Sequence, residues 1–182
     1  MEKVGIFVGR ICPLHIGHKA TIDQMISDVG VKNSLIIIGS VGQKPTFRVL
    51  FSYHQRKSWI EKVYSNNGNW CPRIVGVQDM PSDDYSWFEL VLDSVKSAFG
   101  DRETIDPVFY GGSVKDIEYF SSRGYSVSIV DRTKVPVSAT AIRDLMLRGV
   151  DVSDFLPKQI ASDVVTKFNN IIQDGEKWSI MG

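Results

Sequence analysis

The densest concentration of chemistry in the chain is the run Gly9-Arg10-Ile11-Cys12-Pro13-Leu14-His15-Ile16-Gly17-His18, which holds two of only three histidines. Imidazoles are directed N–H donors, a guanidinium carries a fixed positive charge, and Gly17 lets the backbone come close to a ligand. Together they suit the oxygens of a polyphosphate. The run follows Val4-Gly5-Ile6-Phe7-Val8, which reads as a buried strand, and precedes Ile22, Met25, Ile26 and Val29 at helical spacing. The turn therefore opens a helix, where free N–H groups and the positive end of the dipole favour an anion. Two other readings compete. The histidines could merely cap the helix and hydrogen-bond locally, or Cys12, His15 and His18 could offer three zinc ligands, although no fourth is apparent.

A second cluster is Val137-Ser138-Ala139-Thr140-Ala141-Ile142-Arg143. Ser138 or Thr140 can cap a helix whose apolar stripe is Ile142, Leu145 and Met146, with Arg143 in the first turn. A cation there opposes the dipole by about 0.3–1 kcal/mol, tolerable in a solvent-facing arginine and favourable under a bound phosphate. Gly111-Gly112-Ser113 follows another strand-like run; the glycines permit close backbone approach to a nucleoside, and Ser113 with Asp116 forms a capping box, though a plain turn also explains the segment. Trp87 ends the acidic stretch Pro81-Ser82-Asp83-Asp84-Tyr85-Ser86. It either stacks on a cationic ring or begins the core stripe Trp87, Leu90, Val91 and Val95. Arg56 is expected as a solvated helix charge rather than a structural clamp.

These groups must be positioned by an alternation of strands and helices. Leu35–Ile38, 73–77, Pro107–Tyr110 and 125–130 follow the first strand as apolar, β-branched runs. A helix opening on the capping box Ser52/Gln55, the helix after Ser86 and a short helix near 113–120 separate them. Strands that alternate with helices need crossovers, so the expected fold is a doubly wound, Rossmann-like α/β fold with a five-stranded parallel sheet and helices on both faces. Ligands of such folds bind beyond the carboxyl ends of the strands at the switch point, which directs attention to the loops after strands one, two and four. The 182 residues are expected to form one domain, residues 1–182, with 151–182 a helical C-terminal extension packed on it. That extension carries Ile160, Val164, Val165, Phe168, Ile171 and Ile172, a stripe that could alternatively serve a neighbouring subunit.

Lys and Arg number 21 against 21 Asp and Glu, so no overall field favours nucleic acid or an anionic membrane, and any phosphate site must be a local cluster. No apolar run approaches a membrane span, and Cys12 and Cys71 make no disulfide framework. A cytoplasmic location is expected.

The His15-Ile16-Gly17-His18 segment resembles the HxGH signature of the nucleotidylyltransferase superfamily, and Val137–Arg143 resembles its ISSTxxR segment, with Ala139 in place of the second serine. The four letters also resemble the class I aminoacyl-tRNA synthetase signature, but a KMSKS-like loop and an anticodon-binding domain are lacking. Gly9-Arg10-x-x-Pro13-x-His15-x-Gly17-His18 is similar to the opening of archaeal-type nicotinamide-mononucleotide (NMN) adenylyltransferases, and the similarity extends through Ile38-Gly39-Ser40, Arg48–Arg56, Val77-Gln78-Asp79, Trp87 and Tyr110–Ser113. Cys12, Leu14 and Leu50 depart from that pattern, where glutamine, phenylalanine and proline are usual. The resemblance implies adenylyl transfer from ATP to NMN, giving NAD and pyrophosphate. It implies that His15, Gly17, His18, Gly111, Gly112, Ser138, Thr140 and Arg143 bind ATP, with Arg143 at its β/γ end. Arg10 would face the reacting phosphates, and Arg48, Gly39, Ser40 and Trp87 would hold NMN. Mg2+ would arrive on the ATP oxygens with no protein metal site, and a homo-oligomer is expected. Another phosphorylated acceptor (nicotinate mononucleotide, phosphopantetheine, or an alcohol with CTP) and a slow nucleotide sensor are the alternatives.

Overall fold

The computed structural model describes residues 1–65, 71–80, 83–100, 104–131 and 137–174. Pro81 and Ser82, and the end of the expected C-terminal extension from residue 175 onward, lie outside the described residues. In chain order the elements are β1 (Glu2–Gly9), α1 (Ile16–Val29), β2 (Ser34–Ile38), α2 (Tyr53–Tyr64), β3 (Arg73–Gly76), α3 (Asp84–Phe99), β4 (Ile105–Gly111), α4 (Val114–Ser121), β5 (Ser126–Ile129), α5 (Ala139–Leu147) and α6 (Ala161–Asp174). The five strands form one all-parallel sheet in the order β3-β2-β1-β4-β5. This is the doubly wound arrangement expected from the alternation. Its switch point lies between β1 and β4, which pair from Glu2↔Ile105 to Phe7↔Tyr110.

Strand alternation sends side chains to two cores. Phe7, Ile36, Ile38 and Tyr110 face α1, α2, α5 and α6, while Val4, Ile6, Leu35, Ile37 and Phe109 face α3 and α4. The chain after α5 belongs to the first core. Val152, Leu156, Ile160, Val164 and Phe168 are buried in it, and the Trp59 indole of α2 donates to Asp163 of α6 at 2.6 Å. No helix among the described residues is long and apolar enough to cross a membrane.

Local chemistry differs from expectation in two helices. The buried stripe of α3 is Phe88, Val91 and Val95, whereas Trp87 is half-buried and Leu90 is 38% exposed. Phe88 packs its ring against Phe120 and Tyr125 of the second core, and Asp83 caps the helix by accepting from the Ser86 amide and hydroxyl. At α4 the expected capping box does not form. The Ser113 side chain makes no cap bond, and Asp116 instead accepts from the Gly112 amide at 3.2 Å. The capping box at α2 does form, with Ser52 and Gln55 bonding reciprocally.

Candidate active site

At the switch point the carboxyl ends of β1 and β4 and the start of α5 enclose a cavity of about 290 Å3. Arg10, His15, His18, Arg48, Gly111, Gly112, Ser138, Thr140 and Arg143 all line it, joined by Tyr110 and by Asp116, which was expected only as a capping residue. Gly17, Gly39, Ser40 and Trp87 do not.

The signature loop is held by its apolar members. Ile11, Cys12 and Leu14 are buried at 1%, 1% and 0% exposure, and Ile11 adopts φ 50°, an uncommon conformation for a β-branched residue that the surrounding core maintains. The departures Cys12 and Leu14 are therefore core residues, and it is the Cys12 carbonyl that enters the site's hydrogen bonding.

His15 is the N-cap of α1. Its Nδ1 accepts from the amides of Gly17 and His18 at 3.1 and 3.2 Å. This corrects the expectation of free amides at the helix start. The Gly17 N–H is engaged by the histidine ring and is not presented to the cavity. An imidazole that accepts at Nδ1 carries its proton on Nε2, so the positive end of the helix acts on a ligand through a ring rather than directly. The His18 ring stacks on His15 with centroids 3.6 Å apart and interplanar angle 23°, and Phe7 meets it edge-on at 5.9 Å. His15 is 1% exposed and His18 is half-buried, which makes His18 the more accessible of the pair.

Ser138 caps α5, its hydroxyl accepting from the Ala141 amide at 3.1 Å. Thr140 does not cap; its hydroxyl accepts from Arg143 Nη2 at 3.1 Å. Arg143 lies just past the first turn of α5, where it was expected, and is 3% exposed, because Ile142 and Met146 draw that face of the helix into the core. Its Nη1 donates to the Cys12 carbonyl, and its buried Nε has no hydrogen-bond partner among the described residues. A cation held this way by neutral oxygens is incompletely compensated. Burial lowers its pKa from the ordinary arginine range; Cys12 and Asp144 oppose that, and Arg48 adds to it by repulsion. Arg10 is lowered by burial first and by Arg48 next, against Asp79. In a chain with no net charge, three guanidiniums thus converge on one cavity where they repel one another, a field that an anion would relieve.

Two residues organise the loops from outside the expected set of site residues. Arg56 is 1% exposed, correcting its expected place on the solvated face of α2. Its guanidinium donates to the carbonyls of Arg10 and Gly39, both at 2.7 Å, and of Ser40 at 3.1 Å, clamping the loops after β1 and β2 together. Its spacing from Trp59, Ile60 and Val63 along the buried face of α2 was the available signal. Asp79, after β3, accepts from the Ser40 amide at 3.1 Å, the Ser40 hydroxyl at 2.6 Å and the Gln43 side chain at 2.7 Å, and holds Ser40 at φ 56°. Gly39 and Ser40 shape the site through these carbonyls and braces. Gly111 is needed by the fold itself: a Cβ there would stand 2.5 Å from Ile117 of α4. Trp87 meets Tyr119 edge-on at 5.9 Å and Phe120 at 6.1 Å, bridging α3 to α4.

The comparisons with known proteins agree with this geometry. No family model matches the chain. A nicotinamide-nucleotide adenylyltransferase from Methanocorpusculum labreanum is 31% identical over 162 residues, covering 88% of this chain and 89% of the relative. The chain belongs to the nicotinamide-nucleotide adenylyltransferase family. The family member from Pyrococcus furiosus is 27% identical over 162 residues, covering 87% of this chain and 81% of its own length. Among solved structures, a bifunctional NMN adenylyltransferase/ADP ribose pyrophosphatase from Francisella tularensis superposes with a TM-score of 0.73 at 22% identity, covering 100% of this chain and 58% of that one. A putative nicotinate-nucleotide adenylyltransferase from Vibrio parahaemolyticus gives a TM-score of 0.61 at 18% identity, covering 91% of this chain and 99% of its own. At those identities the structures establish a shared fold.

Proposed function

We propose that the chain transfers the adenylyl group of ATP to NMN, forming NAD and releasing pyrophosphate. The observation that carries this reading is the convergence of Arg10, Arg48 and Arg143 with the stacked His15–His18 pair on the switch-point cavity; the family of the chain names the acceptor. An oxygen of the NMN phosphate attacks the α-phosphorus of ATP, and the bond from the α-phosphorus to the bridging oxygen breaks, so that pyrophosphate leaves with the bonding pair. The nucleophile is already ionised and needs no general base. Catalysis consists of holding two anions in line and neutralising charge on the α-phosphate and the leaving group. His15 and His18 bind the triphosphate by N–H donation, with Ser138, Thr140, Gly111 and Gly112 around the nucleotide. Arg143 binds its β/γ end, Arg10 faces the reacting phosphates, and Arg48 receives the NMN phosphate. Trp87, with Gly39 and Ser40, belongs on the side of the site that holds the nicotinamide.

Among the described residues the cavity is lined by guanidiniums and imidazoles with Asp116 as the one carboxylate, and no group of three metal-ligating side chains occurs. Mg2+ would come with ATP rather than from a protein site, and would supply further charge neutralisation beside the guanidiniums. Mixing the chain with NMN, ATP and Mg2+ tests the reading: NAD and pyrophosphate form in equal amounts, and binding of both substrates with no product would reject catalysis.

The assignment of Arg48 gives a sharper expectation. Arg48→Ala raises KM for NMN at least about tenfold, the worth of one charge-assisted phosphate contact, and raises KM for ATP much less. Equal effects on the two substrates would move Arg48 out of the acceptor subsite. Selectivity follows from the acids before Trp87. Asp79 braces Ser40 and Gln43, and Asp83 is committed to its helix cap, where hydrogen bonding to Ser86 holds its carboxyl below the usual carboxylate range. That field disfavours the extra carboxylate of nicotinate mononucleotide, so kcat/KM is higher for NMN. Measured side by side, equal values for the two acceptors would refute the charge argument.

A further inference from the structure

The turn between β2 and α2 places an aromatic ring on the site that no motif announces. Thr46 and Val49 pair across a two-residue tip: the Val49 amide donates to the Thr46 carbonyl at 3.0 Å and to its hydroxyl at 3.1 Å, and the Thr46 amide donates back to the Val49 carbonyl at 3.3 Å. The base of the turn is anchored, because Val49, Leu50 and Phe51 are 6%, 8% and 1% exposed. Its two tip residues, Phe47 and Arg48, therefore have little freedom to exchange places. Arg48 lines the cavity, while Phe47 packs half-buried against the core beside α5 with its ring 5.4 Å from the Arg143 guanidinium carbon.

Arg143 needs such a neighbour. Its edges are held by the Cys12 carbonyl and the Thr140 hydroxyl, its Nε is buried without a partner, and the nearby charge of Arg48 repels it. The ring face of an aromatic residue carries partial negative charge and attracts a partly desolvated cation without competing for the N–H groups a phosphate would use. We infer that Phe47 is a positioning residue for Arg143: its ring holds the guanidinium at the triphosphate end of the cavity through a cation–π contact. The inference rests on the proposed nucleotide site, and it concerns ATP affinity rather than acceptor binding. It also gives the 46–49 turn a double task, since one tip residue serves the acceptor phosphate and its neighbour the leaving pyrophosphate.

The test separates ring from bulk. Phe47→Leu keeps an apolar side chain packed on the core but removes the π face, whereas Phe47→Tyr keeps the ring. Direct binding of a non-hydrolysable ATP analogue, without NMN, weakens about fivefold in Phe47→Leu and stays within about twofold of wild type in Phe47→Tyr, with KM for NMN unchanged in both. Melting temperatures of the two variants lie close together, so the loss is not one of folding. Wild-type affinity in Phe47→Leu, or equal loss in Leu and Tyr variants, would overturn the inference. A wild-type chain that binds no ATP analogue would instead overturn the nucleotide reading beneath it.

Discussion

An Arg56→Met chain melts about 6–12 °C below the wild type, the shift expected when a protein of this length loses about 3 kcal/mol. The estimate follows from what the guanidinium holds. Three carbonyls of neighbouring loops, those of Arg10, Gly39 and Ser40, accept from its Nη atoms and the Ser52 carbonyl accepts from its Nε at 3.4 Å; hydrogen bonds to a charged group contribute about 1.5–3 kcal/mol each, and the desolvation cost of the buried cation, which methionine removes, offsets much of that. Methionine fills much of the volume, so the cavity term is small and the deficit is polar. Lysine restores little, because one ammonium on a flexible stem does not reproduce the planar fork that meets three acceptors. Activity falls along with stability, since the clamp fixes the backbone of Arg10, a residue of the site. Thermal melts of the Met and Lys variants check this: a Met variant within 2 °C of wild type would show, on the same scale of a few degrees per kcal/mol, that the clamp carries little stability.

His18→Ala behaves in the opposite manner. It lowers kcat by about 100-fold or more, the cost of one preorganised donor to developing phosphate charge, while the melting temperature moves little. The asymmetry arises from position. His18 is half-buried, its ring lies against His15 and Phe7, and its backbone amide, not its side chain, takes part in the helix cap. The alanine variant keeps that amide and hence the cap. His15→Ala, by contrast, removes the acceptor of both the Gly17 and His18 amides, so it cannot isolate catalysis from stability. Steady-state kinetics of a folded His18→Ala chain decides the point: an unchanged kcat would remove the side chain from the chemistry.

The architecture was legible because it is written in periodicity. Runs such as Leu35–Ile38, apolar on every residue, meet two cores at once, and the helices between them call for parallel pairing, so a parallel sheet covered by helices follows from residue order, whereas the strand order that puts the switch point between β1 and β4 belongs to the tertiary structure. The HxGH turn was legible for a different reason: its donors are close in sequence, and a strand followed by a helix fixes where such a turn must sit. Arg56 shows the limit of the same logic. The buried face of α2 runs through 56, 59, 60 and 63, so period 3.6 placed it inward, while its charge argued for water. Only the folded chain resolves that conflict, by bringing carbonyls 46, 17 and 16 residues away within reach of one guanidinium. The engagement of Cys12 by Arg143 across 131 residues, the brace of Asp79 on Ser40 and the ring of Phe47 over Arg143 belong to the same class. Residue types and local spacing determine which face of an element is buried and which chemistry is available; which distant backbone oxygens, rings and charges meet there has no local signature, because it is set by how the elements pack.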